Sequence, residues 1–334
     1  MKFLRYILFP IVPIYYLVTW TRNKLYDLGW KKSKSYPIPV ICVGNLSVGG
    51  TGKSPMIEYL IRLLKTNYNL ATLSRGYKRE TNGFKLADVN DSARSLGDEP
   101  FQFYNKFGED ILVAVDANRQ NGIESLQSLN NKPEVILLDD AFQHRKVRAG
   151  FNILLTAYGD LYCSDIVLPT GNLREPVSGA KRAQIIVVTK CPINLSREEK
   201  EEIKTKLRPD ENQLVFFSSI IYSNEVFSAT KHIKLTELNN FTLVTGIANP
   251  SSLVEYLKVN KLEFKHLNFN DHHSFSEKEI DDLSKLDCIL TTEKDYMRLK
   301  DEVLLKDKLF YIPIEVQVDD SAIFNSEILN FVNS

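Results

Sequence analysis

The pattern of apolar and polar stretches predicts a buried sheet in the first part of the chain. Six apolar runs of strand length occur before residue 190: VICV, LATLS, ILVAV, EVILL, FNILLTA and QIIVVT. Between them, PMIEYLIRLLK places Ile57, Leu60, Ile61 and Leu64 on one helical face. Near-continuous apolar strands separated by helices are typical of a parallel sheet that is covered on both faces. The pattern therefore predicts an α/β fold, with the chemistry gathered at the carboxyl ends of the strands.

Beyond residue 215 the pattern predicts a second, smaller α/β layer. LVFFSSIIYSNEVFSA has the pattern of two short strands, while FTLVTGIANPSSLVEYL, CILTTEKDYMRL and LFYIPIEVQV each contain a strand. Ser276 and Glu279 stand three residues apart, in the pattern of a capping box that opens a helix. We therefore expect a first domain over residues 31–215, a two-stranded linker over 216–230 and a smaller domain over 231–334.

The first 30 residues differ from the rest of the chain. FLRYILFPIVPIYYLVTW carries Arg5 as its single charge, and basic residues flank it. No small-residue cleavage site follows, as a signal peptide would need, and Pro10 and Pro13 interrupt a run of marginal length for a spanning helix. An apolar helix packed on the protein's own core remains an alternative. The mixture of aromatic and basic residues favours a segment in the membrane interface, so residues 1–30 are predicted to associate with a membrane.

Composition excludes several classes of protein. The 334 residues are enough for two domains, and the 42 basic residues balance the 42 acidic ones. This balance disfavours a general nucleic-acid binder. The four cysteines form no C-x-x-C pair, which argues against a zinc site or a disulfide framework.

The loop GNLSVGGTGKSP between the first strand and its helix predicts a nucleotide site. Its glycines allow backbone conformations that expose N–H groups to phosphate oxygens at a helix N-terminus. Lys53 would reach the β- and γ-phosphates, and the hydroxyl of Ser54 would hold Mg²⁺. The match to G-x-x-x-x-G-K-[ST] is imperfect, because a serine stands at the first glycine position. The predicted nucleotide-binding residues are Ser47, Val48, Gly49, Gly50, Thr51, Gly52, Lys53 and Ser54.

Acidic residues follow other predicted strands and could complete this site. Asp139 and Asp140 end an apolar strand, where a P-loop protein places the acid that orients Mg²⁺, although a turn or helix cap is the alternative. Asp98 and Glu99 could supply a base for a substrate hydroxyl, or simply open a helix.

Basic residues and a histidine pair are further candidates. Arg75, Arg119 and Arg174 could clamp phosphate groups, because guanidinium groups match phosphate geometry, with surface salt bridges as the alternative. In the stretch NDHH, Asp271 could orient the imidazole of His272 or His273 beside a substrate, with an exposed or structural histidine pair as the alternative.

The nucleotide is predicted to be ATP. GTP-binding P-loop proteins carry an Asn/Thr-Lys-x-Asp loop after a late strand, and here Pro192 replaces the aspartate that would read guanine. ATPases that partition cargo carry a lysine early in the glycine loop, and here Val48 takes that place. Both comparisons favour a small-molecule or lipid kinase.

Ten short motifs, taken in order, resemble the tetraacyldisaccharide 4′-kinase (lipid A 4′-kinase) family. They are GNLSVGGTGKSP, LSRGYKR, GDEP, DANR, LLDDAFQHRKV, LPTGNLREP, VVTKCP, TGIANP, NDHHSF and TTEKD. The resemblance covers nearly the whole chain, and that family also lacks the first glycine of the loop. Ala141 departs from the glycine that we associate with the DDGFQH form, which affects only local backbone freedom.

The resemblance implies transfer of the γ-phosphate of ATP, with Mg²⁺, to the 4′-hydroxyl of a tetraacylated glucosamine disaccharide 1-phosphate. It implies a peripheral or monotopic protein on the cytoplasmic face of a Gram-negative inner membrane. It also implies catalytic roles for Lys53, for Asp98 as the base and for His272 as its support, with Arg119 and Arg174 near lipid or phosphate. Two rival classes stay open: a P-loop kinase for another small molecule and a membrane-associated ATPase.

Overall fold

The computed structural model describes residues 5, 7–271 and 273–334. Its strands are β1 Val40–Asn45, β2 Leu70–Ser74, β3 Lys85–Leu86, β4 Leu112–Val115, β5 Val135–Asp139, β6 Phe151–Ala157, β7 Ile185–Thr189, β8 Leu214–Tyr222, β9 Glu225–Phe227, β10 His232–Lys234, β11 Phe241–Thr245, β12 Phe264–Asn268, β13 Ile289–Thr292, β14 Leu309–Ile312 and β15 Ile314–Val318. Its α-helices are α1 Val12–Asp27, α2 Lys53–Leu64, α3 Ala93–Leu96, α4 Asp98–Phe107, α5 Arg119–Gln127, α6 Arg197–Leu207, α7 Ser251–Val259, α8 Glu277–Ser284, α9 Glu293–Leu299 and α10 Ser321–Val332.

The larger domain is built on a nine-stranded sheet in the order β15-β8-β7-β6-β1-β5-β2-β4-β3. The central strands from β8 to β4 pair in parallel, and β15 and β3 add an antiparallel strand at either edge. Each side of the sheet has its own core. Helices α2, α4 and α10 pack on one face, while α5 and α6 pack on the other. The predicted parallel α/β sheet with helices on both faces is thereby confirmed.

The smaller domain contains a six-stranded sheet in the order β10-β9-β14-β13-β11-β12. Its predicted capping box is present at the start of α8, where the Ser276 side chain accepts from the N–H of Glu279. The strand β12 was not predicted, because it lies at the edge of the sheet and most of its residues are exposed. Its sequence therefore lacks the apolar run that marks a buried strand.

The domain boundaries differ from the sequence prediction at two points. LFYIPIEVQV is not one strand: Pro313 separates β14 of the smaller sheet from β15, which pairs antiparallel with β8 in the larger sheet. The following helix α10 buries Phe324 and Ile328 against the same larger core. Residues 314–334 therefore pack with the larger domain, whereas the prediction placed all of 231–334 in the smaller one. The strand β9, inside the predicted linker 216–230, joins the smaller sheet.

Within the described part of the N-terminal segment, most apolar side chains are in contact with solvent. Ile7, Ile14, Leu17 and Val18 are between 59% and 74% exposed, and within α1 only Asn23 is buried. These exposures do not fit the alternative of a helix buried in the protein's own core. Within the part of the chain that the structure describes, no helix combines the length and apolar character needed to cross a membrane.

Candidate functional site

The first half of the glycine loop is held by the segment that precedes the 3-10 turn at Val177–Arg182. The backbone of Ser47 forms a bridge with that of Leu173, and the N–H of Val48 donates to the carbonyl of Asn172 at 2.8 Å. The carbonyl of Leu46 accepts from the N–H of Arg174 at 2.7 Å. Ser47 therefore belongs to a short strand-like contact and is not among the residues with positive φ, so the backbone here does not require a glycine.

The second half of the loop is held by residues at the end of β7. Lys190 donates from its Nζ to the carbonyl of Gly50 at 2.5 Å, and the hydroxyl of Thr189 donates to the carbonyl of Thr51 at 2.8 Å. Gly52 has φ of +84°, a conformation that a side chain would strain. Because the peptide is planar and trans, a carbonyl that points at Thr189 turns the next N–H to the opposite side. The N–H groups of Gly52 and the start of α2 are thereby available to an anion.

Lys53, at the start of α2, lies beside the acidic end of β5. Its Nζ is 3.7 Å from Oδ1 of Asp140, and its side chain is 10% exposed. On the other side, Nη1 of Arg174 donates to both carboxylate oxygens of Asp140 at 3.0 Å. The structure therefore brings together a predicted nucleotide residue, a predicted metal residue and a predicted substrate residue.

Asp139 is the most strongly perturbed acid of the site. It is 2% exposed, its Oδ2 accepts from the hydroxyl of Ser74 at 3.2 Å, and its Oδ1 is buried without a partner. Burial raises the pKa of Asp139 to about 7, and the charges of Glu99 and Asp140 add to the effect against those of Lys53 and Arg119. A buried carboxylate with an unsatisfied oxygen is costly unless something cationic pairs with it.

Glu99 links the glycine loop to the smaller domain. Its Oε1 accepts from the hydroxyl of Ser54 at 2.9 Å and from Nζ of Lys294, in α9, also at 2.9 Å. Burial opposes ionisation, but Lys294, Lys53 and the hydrogen bond from Ser54 together outweigh it and lower the pKa of Glu99 to about 2. The carboxyl group of Glu99 is therefore ionised at pH 7, whereas that of the neighbouring Asp139 keeps its proton up to about that pH.

Asp98, the predicted base, also faces the smaller domain. Its Oδ2 accepts from Nη2 of Arg298 at 2.7 Å and from Nε at 3.2 Å. The predicted supporting residue His272 lies outside the described residues. His273, the alternative, places Nε2 3.0 Å from Glu279 and stacks on Phe269, so it contacts the cap of α8.

The three predicted arginines take different positions. Arg174 contacts Asp140, as described above, whereas Arg119 is 2% exposed. The Arg119 guanidinium donates to the backbone carbonyls of Asp116 and Asp139, at 3.0 and 3.2 Å. In this geometry Arg119 supports the strand ends from within the protein. Arg75 is exposed at the end of β2, near enough for its charge to act on Arg119.

The residues present fit a divalent cation held partly by phosphate. Among the described residues, no group of three or more His, Cys, Asp or Glu could hold a metal ion without help. The orphaned Oδ1 of Asp139 and the lone pairs of the Ser54 hydroxyl are hard oxygen donors of the kind that Mg²⁺ takes. Because Mg²⁺ usually binds one or two protein groups together with substrate phosphates, this donor set is sufficient.

Sequence reasoning missed the residues that the smaller domain contributes. Lys294 lies in the motif TTEKD, which contributes to the family resemblance but has no chemical role predicted from the sequence. Arg298 lies one helical turn later. Their partners Glu99 and Asp98 are 195 and 200 residues away in the sequence. A signal existed only in the adjacent acids of GDEP, which look like an ordinary helix start.

Comparison with known proteins identifies one family over the whole chain. A family model described as Tetraacyldisaccharide-1-P 4′-kinase matches residues 4–333. A Tetraacyldisaccharide 4′-kinase of Flavobacterium johnsoniae is 54% identical over 338 residues, with 99% of this chain and 98% of that protein covered. One of Bacteroides thetaiotaomicron is 44% identical, with 97% and 92% covered.

A solved structure supports the same relationship. The crystal structure of the "apo" form of LpxK from Aquifex aeolicus in complex with ATP is 29% identical and aligns with a TM-score of 0.77, covering 98% of this chain and 99% of that one. Both the sequence and the fold are therefore matched from end to end. The chain belongs to the tetraacyldisaccharide-1-P 4′-kinase family.

Proposed function

We propose that this protein transfers the γ-phosphate of ATP to the 4′-hydroxyl of a tetraacylated glucosamine disaccharide 1-phosphate. One observation carries the proposal: Lys53 and the glycine loop stand directly beside Asp139 and Asp140 in a chain that matches the family from residue 4 to 333. The relatives are named for this reaction, and the LpxK structure from Aquifex aeolicus is in complex with ATP.

The glycine loop forms the donor side of the proposed reaction. Residues 47–54 would bind the phosphates of ATP through backbone N–H groups and the N-terminal end of α2. Lys53 would balance charge on the β- and γ-phosphates; its present partner, Asp140, is 3.7 Å away and shared with Arg174. On binding ATP, Lys53 would exchange this carboxylate for a phosphate oxygen.

Ser54 and Asp139 would hold Mg²⁺, with Asp140 as a second acidic group beside them. When bound, the ion neutralises charge on the β- and γ-phosphates. The protein's own contribution is to keep Asp139 buried with Oδ1 unpaired and to direct the hydrogen of Ser54 onto Glu99. Both arrangements present oxygen lone pairs to a cation.

The acceptor side is proposed to use Asp98 as the base. A sugar hydroxyl is a weak nucleophile, so a carboxylate within hydrogen-bond reach of its proton is expected. Phosphoryl transfer depends mainly on positioning and charge neutralisation, which places only a modest demand on the strength of that base. We further propose that His272 supports Asp98 and that Arg75 and Arg174 bind substrate phosphate. The buried Arg119 would contribute indirectly, by holding the strand ends that carry the site.

The N-terminal segment is proposed to hold the enzyme at the cytoplasmic surface of the inner membrane, where the acylated acceptor is concentrated. Exposed Ile14, Leu17 and Val18 would enter the interface, and the basic residues near it would face anionic lipid. The helix α1 is joined to the site, because Asn23 donates to Glu175 at 2.5 Å and the hydroxyl of Tyr15 donates to the carbonyl of Arg174.

The test is incubation of the purified full-length chain with γ-labelled ATP, Mg²⁺ and a tetraacylated disaccharide 1-phosphate in detergent micelles. Label on the lipid supports the proposal. Release of free phosphate with no lipid product would instead identify an ATPase. Label on a soluble sugar at a higher rate than on the lipid would identify a kinase for another small molecule.

A further inference from the structure

Lys294 links the smaller domain to the glycine loop. This residue is at the second position of α9, and its Nζ donates to Oε1 of Glu99, the oxygen that also accepts from the Ser54 hydroxyl. Burial works against a charge on Lys294, yet its pKa is raised, because Glu99 stabilises the ammonium form. The two charged groups therefore stabilise each other across the domain boundary.

The orientation of the Ser54 hydroxyl depends on this pair. A hydroxyl has one hydrogen to donate, and here that hydrogen goes to Glu99 at 2.9 Å. Its lone pairs then face away from Glu99 and can be given to a cation. If Glu99 turned away, the hydroxyl hydrogen would be free to point at the cation and repel it. Lys294 donates to the same oxygen of Glu99 at 2.9 Å and so holds that carboxylate in place.

We propose that Lys294 is a positioning residue for the Mg²⁺–ATP site, supplied by the smaller domain, which holds Glu99 as an acceptor and thereby orients Ser54. The inference rests on the proposed function, because it concerns the same nucleotide site. It makes the docking of α9 on α4 a condition for a well-ordered cation site in the larger domain. In this arrangement Lys294 acts through Glu99 and Ser54.

A neighbouring lysine provides the matched control. Lys300 follows α9 and also crosses to α4, where its Nζ donates to Asn105 at 2.6 Å and lies 4.3 Å from the centre of the Phe101 ring. Removing its charge weakens the same domain contact without touching Glu99 or Ser54. A role in general domain packing would make the two lysines equivalent, whereas a positioning role would separate them.

The experiment compares Lys294→Met, Lys294→Arg and Lys300→Met in the full-length protein. Binding of a fluorescent ATP analogue is titrated with Mg²⁺ in the absence of any lipid, and kinase activity is measured separately. Loss of a partner behind a metal ligand typically costs roughly 10- to 100-fold in metal affinity or activity. We therefore expect Lys294→Met to need at least about tenfold more Mg²⁺ for half-maximal binding of the ATP analogue. Lys294→Arg should recover part of this loss, and Lys300→Met should have the Mg²⁺ requirement of the wild type.

Equal Mg²⁺ requirements for Lys294→Met and the wild type, or equal losses in Lys294→Met and Lys300→Met, would overturn the inference. If Lys294→Met does not fold, Lys294→Gln removes the same charge with a smaller change in packing and is judged by the same criteria. The proposed function fails separately, if the wild-type protein binds Mg²⁺ and the ATP analogue but labels no lipid.

Discussion

Replacement of Asp139 by asparagine isolates the cost of burying a carboxylate in this site. Burial, reinforced by Glu99 and Asp140, raises its pKa from 3.8 to about 7. One pKa unit corresponds to about 1.4 kcal/mol, so this difference corresponds to about 4 kcal/mol between the two ionisation states. Asparagine has nearly the same shape and can still accept from Ser74, but it never has to ionise. Asp139→Asn should therefore stabilise the protein at high pH while it impairs catalysis.

The direction of the pH dependence follows from the raised pKa. The folded protein keeps the proton on Asp139 until about pH 7, whereas the unfolded chain releases it near 3.8. The stability from this proton is fully present below the unfolded pKa and is lost as the pH rises through the folded one. The free energy of unfolding of the wild type, relative to Asp139→Asn, should therefore fall by about 2 to 4 kcal/mol between roughly pH 4 and pH 8.

Thermal melting in the absence of nucleotide and Mg²⁺ measures this difference. Each kcal/mol shifts Tm by about 2–4 °C in a domain of 150–250 residues, so Asp139→Asn should melt several degrees above the wild type at pH 8, and the gap should narrow toward pH 5. Asp140→Asn is the matched control. It removes the carboxylate charge that Lys53 and Arg174 share and should therefore lower Tm. Parallel curves for Asp139→Asn and the wild type over this pH range would refute the reasoning.

The remaining predictions concern the phosphate site, the N-terminal segment and the packing beneath the loop. Lys53→Met should lower kcat for lipid phosphorylation by more than about 100-fold, since it removes a charge directed at the transferred phosphate; normal turnover would exclude the mechanism. Leu17→Glu should lower the partition coefficient onto anionic vesicles, measured by sedimentation, by at least about tenfold, because burial of one leucine contributes about 1.5–3 kcal/mol, whereas Val259→Glu, on the smaller domain and 74% exposed, should bind like the wild type. Gly44→Ala would place a Cβ 2.6 Å from a buried phenylalanine side chain and should lower the free energy of unfolding by about 1–3 kcal/mol. Gly159→Ala, which has open space around it, should have little effect on chemical denaturation.

The nucleotide side of the site was predictable because one physical rule locates it. The carboxyl ends of parallel strands meet at one edge of a sheet, and apolar runs show where those strands end. That rule, applied to residues 47–54 and to Asp139 and Asp140, named groups that do lie together, with Lys53 3.7 Å from Asp140. The predicted family and fold class were also confirmed. The family was predictable from sequence motifs and the fold class from buried apolar strands, and both leave strong local signals.

The groups that come from the smaller domain were not predictable by that rule. Contacts between residues about 195 positions apart, such as Lys294 with Glu99, leave no periodicity in either segment. The burial of Arg119 was likewise invisible, because an arginine at a strand end has the same local pattern whether it faces a ligand or a backbone carbonyl. The membrane role of residues 1–30 and the part played by His272 remain predictions.

The antiparallel pair β8 and β15 makes the smaller domain an insertion within the larger one. Tyr222 and Ile314 are directly paired, so the chain leaves the larger sheet and returns to it at the same point. The ribosome must therefore release the entire smaller domain before β15 and α10 can close the edge and core of the nucleotide-binding domain. A chain that stops short of α10 would lose Phe324 and Ile328 from beneath the sheet that carries the glycine loop. Premature termination near the C-terminus should thus impair ATP binding, although the missing residues lie far from the glycine loop in sequence.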